Sequence, residues 1–187
     1  MSRSAESAAA IRSAVAVGVA VSAYGVSFGA LSVAAGLDIW QTCVLSLFMF
    51  TGGSQFALVG VIASGGASAG LAAIASATLL GTRNGLYALR MAPILDLGWP
   101  LKLLAAHLTI DESTAVSTAQ PTREGQRVGF WVTGAIIYVG WNLTTLVGAL
   151  IGDLLGDVRQ YGLDAAAAAA FFLFLGGLIR HLYLGLV

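Results

Sequence analysis

Three groups of polar residues interrupt an otherwise apolar chain, and each is costly to place in apolar surroundings. The first reads Thr51-Gly52-Gly53-Ser54-Gln55-Phe56. Two adjacent glycines cost a helix about 2 kcal/mol relative to alanine, and Ser54 and Gln55 bring a hydroxyl and a carboxamide to the same depth. Such a run suits a helix break whose freed backbone groups line a binding cavity. It equally suits a kinked helix in which Gln55 bonds a neighbour. The second group is Gly81-Thr82-Arg83-Asn84-Gly85-Leu86-Tyr87-Ala88-Leu89-Arg90, where Arg83, Tyr87 and Arg90 share one helical face. The third is His107 with Asp111 and Glu112, His107 standing one helical turn before Asp111. An arginine at membrane depth needs a partner or a wet cavity. Asp111 and Glu112 are the available partners, in a network able to bind a zwitterion or relay protons. The competing reading has these heads snorkelling to water at an interface.

Other chemistries fit less well. Gly25-Val26-Ser27-Phe28-Gly29 matches the pattern of a serine nucleophile elbow, with His107 or His181 as base. That elbow belongs on a strand-to-helix turn, and here it lies within an apolar stretch. His107, Asp111 and Glu112 lack a second histidine at ligand spacing, so no metal is expected. Neither an enzyme nor a cofactor protein is expected. Glycines four apart at Gly25/Gly29, Gly81/Gly85 and Gly148/Gly152/Gly156 suit close helix packing.

The elements that must hold these groups follow from composition. Charged residues are 10% of the 187, against about 25% in soluble chains, too few to cover a small soluble fold. Disorder, a disulfide scaffold and nucleic-acid binding are excluded, and an integral membrane protein in a lipid bilayer is expected. Nine basic residues balance nine acidic ones, which leaves no polybasic patch for nucleic acid. Cys43 is the single cysteine and has no intramolecular partner. Arg3 and Arg12 precede the first apolar run as in a secretory signal, but the later apolar runs favour a retained first helix.

Gaps between charges mark the spans: 13–37, 39–82, 128–152 and 165–179 are uncharged. A span needs about 20 apolar residues, so the 44-residue gap is read as two crossings turning at Ser64–Ser68. The expected helices are 13–37, 39–63, 69–91, 100–118, 128–152 and 161–187, in one transmembrane permease domain. With the N-terminus cytoplasmic, Arg3, Arg12, Arg123, Arg127 and Arg180 lie inside, and Lys102 and Arg159 outside. Gly29-Ala30-Leu31 followed by Gly36-Leu37-Asp38 echoes Gly148-Ala149-Leu150 followed by Gly162-Leu163-Asp164. If this echo is a repeat, its two copies run parallel.

The ordered set of motifs resembles the AzlC/BrnF family, the large subunit of two-component bacterial exporters of branched-chain amino acids. The residues that carry the likeness begin with Tyr24-Gly25-Val26-Ser27-Phe28-Gly29 and the Gly52-Gly53-Ser54-Gln55-Phe56 signature. Arg83-Asn84-Gly85-Leu86-Tyr87, Thr109-Ile110-Asp111-Glu112, Trp141 through Gly152, and Gly162-Leu163-Asp164 with Phe171-Phe172 follow in the family's order. The first helix lacks the family's usual proline. Family members generally continue for one or two further helices, so the chain is read as a short member or a piece of a longer one. The resemblance implies a small partner subunit of the AzlD/BrnE type. It also implies export of Leu, Ile or Val across the bacterial cytoplasmic membrane, driven by the proton gradient.

The expectation is therefore an all-α, polytopic membrane protein of about six helices, some broken at glycine-rich sites. Gly52, Gly53, Ser54, Gln55, Arg83 and Asn84 are the expected substrate-binding residues. His107, Asp111 and Glu112 are the coupling candidates, and no catalytic or metal-binding residue is expected. A membrane scaffold subunit, or an exporter of a different small hydrophobic substrate, is the alternative.

Overall fold

A computed structural model describes residues 3–155, and all regular structure among them is helical. The elements are α1 (Arg3–Ser22), α2 (Gly25–Ala34), α3 (Ile39–Phe48), α4 (Gly52–Gly65), α5 (Gly70–Leu95), α6 (Leu101–Leu108), α7 (Asp111–Thr118) and α8 (Arg123–Leu155). Among the described residues, two stretches are long and apolar enough to cross a membrane: Glu6–Ala34 and Arg123–Leu154. Helix α5 has 26 residues, about 39 Å at 1.5 Å each, but carries Arg83 and Arg90. The helix expected at 161–187, together with Arg159, Asp164, Arg180 and His181, lies outside the described residues.

Three of the expected helices are each in two pieces. The helix expected at 13–37 begins earlier, at Arg3, and is interrupted at Ala23–Tyr24 between α1 and α2. Those two pieces still follow one course along α8, because Glu6, Gly18, Gly25 and Gly29 meet Thr122, Ile136, Trp141 and Thr145 in order. The helices expected at 39–63 and 100–118 break differently, and in both the chain turns back.

The path of α3 and α4 is fixed by neighbours along α8. Ser46 lies 3.4 Å from Thr145, and the ring of Phe50 lies 5.1 Å from that of Tyr138. Helix α3 thus runs against α8 toward the bundle's middle. Past the break, Phe56 packs on Phe28 at 5.7 Å. Val59 and Ala63 then share a small apolar cavity with Leu31, Ala34 and Ala35, at the far end of α2. Helix α4 therefore returns to the end from which α3 came. A capping box starts this hairpin: the Gln41 N–H donates to Asp38 Oδ1 at 2.7 Å, and the Asp38 N–H to Gln41 Oε1 at 2.9 Å.

The second hairpin enters from the other end. Helix α5 runs antiparallel to α4, Gly81 opposite Ser54 and Arg83 opposite Gly53. It ends beside the start of α8. There Arg123 donates to the Pro93 carbonyl, and Arg127 Nε to that of Ile94 at 3.0 Å. Two arginines thus satisfy carbonyls that the end of a helix leaves unpaired. From this end α6 rises until Leu108 lies against Gly134. Helix α7 then returns along α8, with Val116 against Gly129 and the Ser117 hydroxyl donating to the Gln126 carbonyl at 2.8 Å.

Helix α2 packs on α8 through glycine on both sides. A Cβ at Gly29 would strike the carbonyl of Thr145, and one at Gly148 would strike that of Val26. A Cβ at Gly152 would come within 2.9 Å of Ala30 Cα. The echoed Gly-Ala-Leu triplets at Gly29 and Gly148 face each other across this contact, on parallel helices. The nucleophile-elbow pattern at Gly25–Gly29 lies within α2. Gly81 and Gly85 do not make such a seam, since Gly85 faces open space.

Gly29→Ala and Gly148→Ala should each lower the unfolding midpoint of the purified protein, by about 1–3 kcal/mol of stability. Gly85→Ala should leave it unchanged or raise it, because helix propensity improves where nothing is struck. Thermal unfolding followed by size exclusion makes the comparison, and equal midpoints for all three would refute the close-contact account.

Candidate functional site

The two hairpin tips meet beside the middle of α8. Phe50, in the first break, lies 5.9 Å from the ring of His107 on α6, and both rings contact Tyr138 of α8. A second aromatic triangle of Phe28, Phe56 and Trp141 backs the start of α4. Trp141 also lies under Gly52, where a Cβ would come within 3.2 Å of the indole.

Each break starts a short helix at this level. At the first, Thr51 is extended (φ −160°, ψ 96°) and makes no side-chain cap. Gln55 N–H donates to the Thr51 carbonyl at 3.1 Å, so the N–H groups of Gly52, Gly53 and Ser54 precede the first intrahelical bond. They form a partly positive helix end. At the second break, Ser113 Oγ accepts from the Ile110 N–H at 3.1 Å and donates to the Leu108 carbonyl at 2.7 Å. Asp111 and Glu112 occupy the first turn of α7, the end that favours negative charge.

Arg83 joins the two tips. Its Nη2 would lie only 2.7 Å from a Cβ on Gly53, so the missing side chain makes room for the guanidinium. The same Nη2 lies 3.7 Å from Asp111 Oδ2, with 35% and 29% of the two side chains exposed. The alternatives left open by sequence thus narrow. Arg83 pairs with Asp111, and the partly exposed pair sits against the α4 N-terminus.

Ser54 and Gln55 follow Gly53 in the first turn of α4, beside this pair. Both are buried, Gln55 completely, and Gln55 Nε2 lies 3.4 Å from the Leu45 carbonyl across the break. Asn84 follows Arg83 on α5 and is half-buried. Thr51 Oγ1, Ser54 Oγ, Gln55 Oε1, Arg83 Nε and Asn84 Oδ1 are all buried without a hydrogen-bond partner among the described residues. Unpaired buried polar atoms are costly, and four of them, on Thr51, Ser54, Gln55 and Arg83, lie at or beside the start of α4. Among the described residues no three His, Cys, Asp or Glu side chains are grouped to hold a metal.

Two expectations need correction. The break lies at Met49–Thr51, just ahead of Gly52-Gly53, which instead begin α4. The glycines serve close approach, to Trp141 and Arg83, rather than unwinding. His107 and Asp111 do not share a helical face, because the chain leaves the helix at Thr109–Ile110 between them. His107 faces Phe50 and Tyr138 instead. Sequence reasoning missed Phe50 and Tyr138. The acidic pair directly ahead of Ser113 was a helix-start signal that would have revealed the second break.

A family model described as "AzlC protein" matches residues 16–155, and the chain belongs to that family. The match covers both hairpins and the Arg83–Asp111 pair. Members of the family are membrane proteins generally associated with amino acid transport and export. No curated protein and no solved structure matches the chain.

Arg83→Gln and Asp111→Asn should be non-additive in a double-mutant cycle on unfolding free energy, with a coupling of about 1 kcal/mol. Arg83→Gln with Glu112→Gln should show a smaller coupling than that with Asp111→Asn. A larger coupling to Glu112 than to Asp111 would contradict the pairing.

Proposed function

We propose that this AzlC-family chain is the large subunit of an exporter of branched-chain amino acids, and that the hairpin junction is its binding site. The observation that carries the reading is Arg83, held between the N-terminus of α4 and Asp111. An amino acid offers a carboxylate and an ammonium group. The carboxylate fits the free N–H groups of Gly52, Gly53 and Ser54 together with the Arg83 guanidinium. In taking Arg83 it displaces Asp111, which is then free to meet the ammonium group or a proton. Gln55 and Asn84 supply further polar atoms. Helix termini facing a mid-depth site are the usual way a carrier holds such a ligand.

His107, Asp111 and Glu112 are the coupling groups of this reading. Exchange of Arg83 between Asp111 and substrate links carboxylate protonation to substrate occupancy, which is what proton-driven export requires. The aliphatic side chain would lie among the aromatic rings of the junction, which recognise bulk without polar groups.

The reading extends to a membrane arrangement, which the course of the hairpins supports. The spans are α1–α2, α5 and α8, while α3–α4 and α6–α7 are re-entrant from opposite faces. Arg3, Arg12, Lys102, Arg123 and Arg127 then lie toward one end, whereas Asp38 and Asp153 lie toward the other. That bias is stronger than the sequence reading allowed, because Lys102 changes sides. It makes the basic end cytoplasmic, in the bacterial inner membrane. A small AzlD/BrnE-type membrane subunit completes the exporter.

The functional test uses the contact between Gly53 and Arg83. A Cβ at Gly53 displaces the tip of a flexible side chain, so Gly53→Ala should insert and fold. Misplacing the guanidinium should still reduce export tenfold or more, as displacements of about 1 Å at a reacting or binding group do. In cells lacking other exporters, fed a Leu-containing dipeptide and co-expressing the small subunit, internal leucine should fall with wild type and with Gly60→Ala. It should stay high with Gly53→Ala. Unchanged pools with wild type, both subunits being in the membrane, would favour a different substrate or a scaffold role.

A further inference from the structure

Beside the junction, α5 and α6 line an open cleft of about 250 Å³ at the basic end of the bundle. Its inner limit is Thr109, at the second break, so it leads from the α5–α6 loop to the hairpin tip. Its walls include Ala88 and Ala92 from α5 and Ala105 and Ala106 from α6, small side chains that leave the space between the helices open. Met91, Leu95 and Leu97 add apolar surface, and two opposite charges, Asp96 and Lys102, also line it. Asp96 closes α5 in the left-handed conformation (φ 50°), where the chain turns toward α6.

We propose that this cleft is a second amino acid site, a loading vestibule that holds a zwitterionic aliphatic amino acid before it reaches the junction. The inference rests on the exporter reading given above. The occupant's chemistry follows from the lining. Lys102 meets the carboxylate, Asp96 meets the ammonium, and the alanine walls accept an aliphatic side chain. An aqueous anion would not need the apolar walls, and a lipid chain would not need both charges. At about 250 Å³ the cleft has room for a small ligand. It falls below the 300–1,000 Å³ range of larger ligand pockets. A smaller cavity of about 100 Å³, lined by Leu31, Phe56 and Val59 among others, approaches from the opposite end and contains no charged residue. The vestibule at the basic end is therefore the one equipped to capture a zwitterion, as loading from the cytoplasm requires.

The test is site-directed thiol protection in the full chain, reconstituted in nanodiscs with Cys43→Ser as background. Ala106→Cys places a small exposed thiol in the cleft wall, and Leu71→Cys places one on the outer surface near the start of α5. L-leucine should slow methanethiosulfonate labelling of Ala106→Cys about fivefold and leave Leu71→Cys unaffected. The protection should survive Gln55→Ala, which disables the junction. Lys102→Gln should raise the leucine concentration required by about fivefold, as expected for a partly exposed charge pair. Labelling indifferent to leucine, in protein that still exports it with the small subunit, would overturn the vestibule and leave the exporter reading intact. Protection lost with Gln55→Ala would also overturn it, by showing that the effect is transmitted from the junction. Protection that persists while export survives Gln55→Ala would support the vestibule and count against the junction site.

Discussion

The architecture depends on satisfying one charge inside an apolar bundle. Arg83 stands in the middle of α5 with about two thirds of its side chain covered, so its guanidinium needs partners from neighbouring elements. The fold brings it a helix N-terminus with no side chain in the way, at Gly53, and a carboxylate at Asp111. Both arrive on hairpins that stop halfway along α8. A continuous α3–α4 or α6–α7 helix would carry these groups past Arg83 and leave the charge uncompensated. Removing one partner from a partly buried charge pair leaves the other without full compensation. The hairpins and the arginine therefore require each other.

The scaffold that holds the hairpins is the seam between α2 and α8. Its glycines bring two helices to backbone contact, and Phe28, Trp141 and Thr145 project from that seam toward the tips. Phe28 and Trp141 stack at 6.1 Å and support the start of α4. Rigid packing below a junction of unpaired polar atoms is the arrangement expected where polar groups are kept for a ligand. Each hairpin also follows a long helix, and the two units enter from opposite ends. This gives α1–α4 and α5–α7 an inverted relationship of the kind seen in carriers.

Much of the site was legible in the sequence because its residues are expensive. Gly52-Gly53, Arg83 and Asp111 stand out where composition leaves few polar groups, and the structure brings them together. Helix α5 was also legible, since the expected 69–91 and the observed Gly70–Leu95 nearly coincide. The turning back of the hairpins was not. A count of uncharged residues measures length, and a re-entrant pair has the length of a crossing. The break at Thr109–Ile110 contains neither Gly nor Pro, and only the acidic pair after it signals a new helix. The parallel echo between Gly29 and Gly148 reflects a shared packing contact. The inverted relationship of the two units leaves no comparable trace in the sequence.

The hairpins and a simple zigzag of crossings place the same loops on opposite faces of the membrane, and this separates them directly. In a Cys43→Ser background, single cysteines at Ser68, Trp99 and Thr122 can be labelled with an impermeant thiol reagent in right-side-out and inverted vesicles. The account predicts that Trp99→Cys and Thr122→Cys react from the same face and Ser68→Cys from the other. Ser68→Cys sharing a face with Thr122→Cys, with Trp99→Cys opposite, would contradict it.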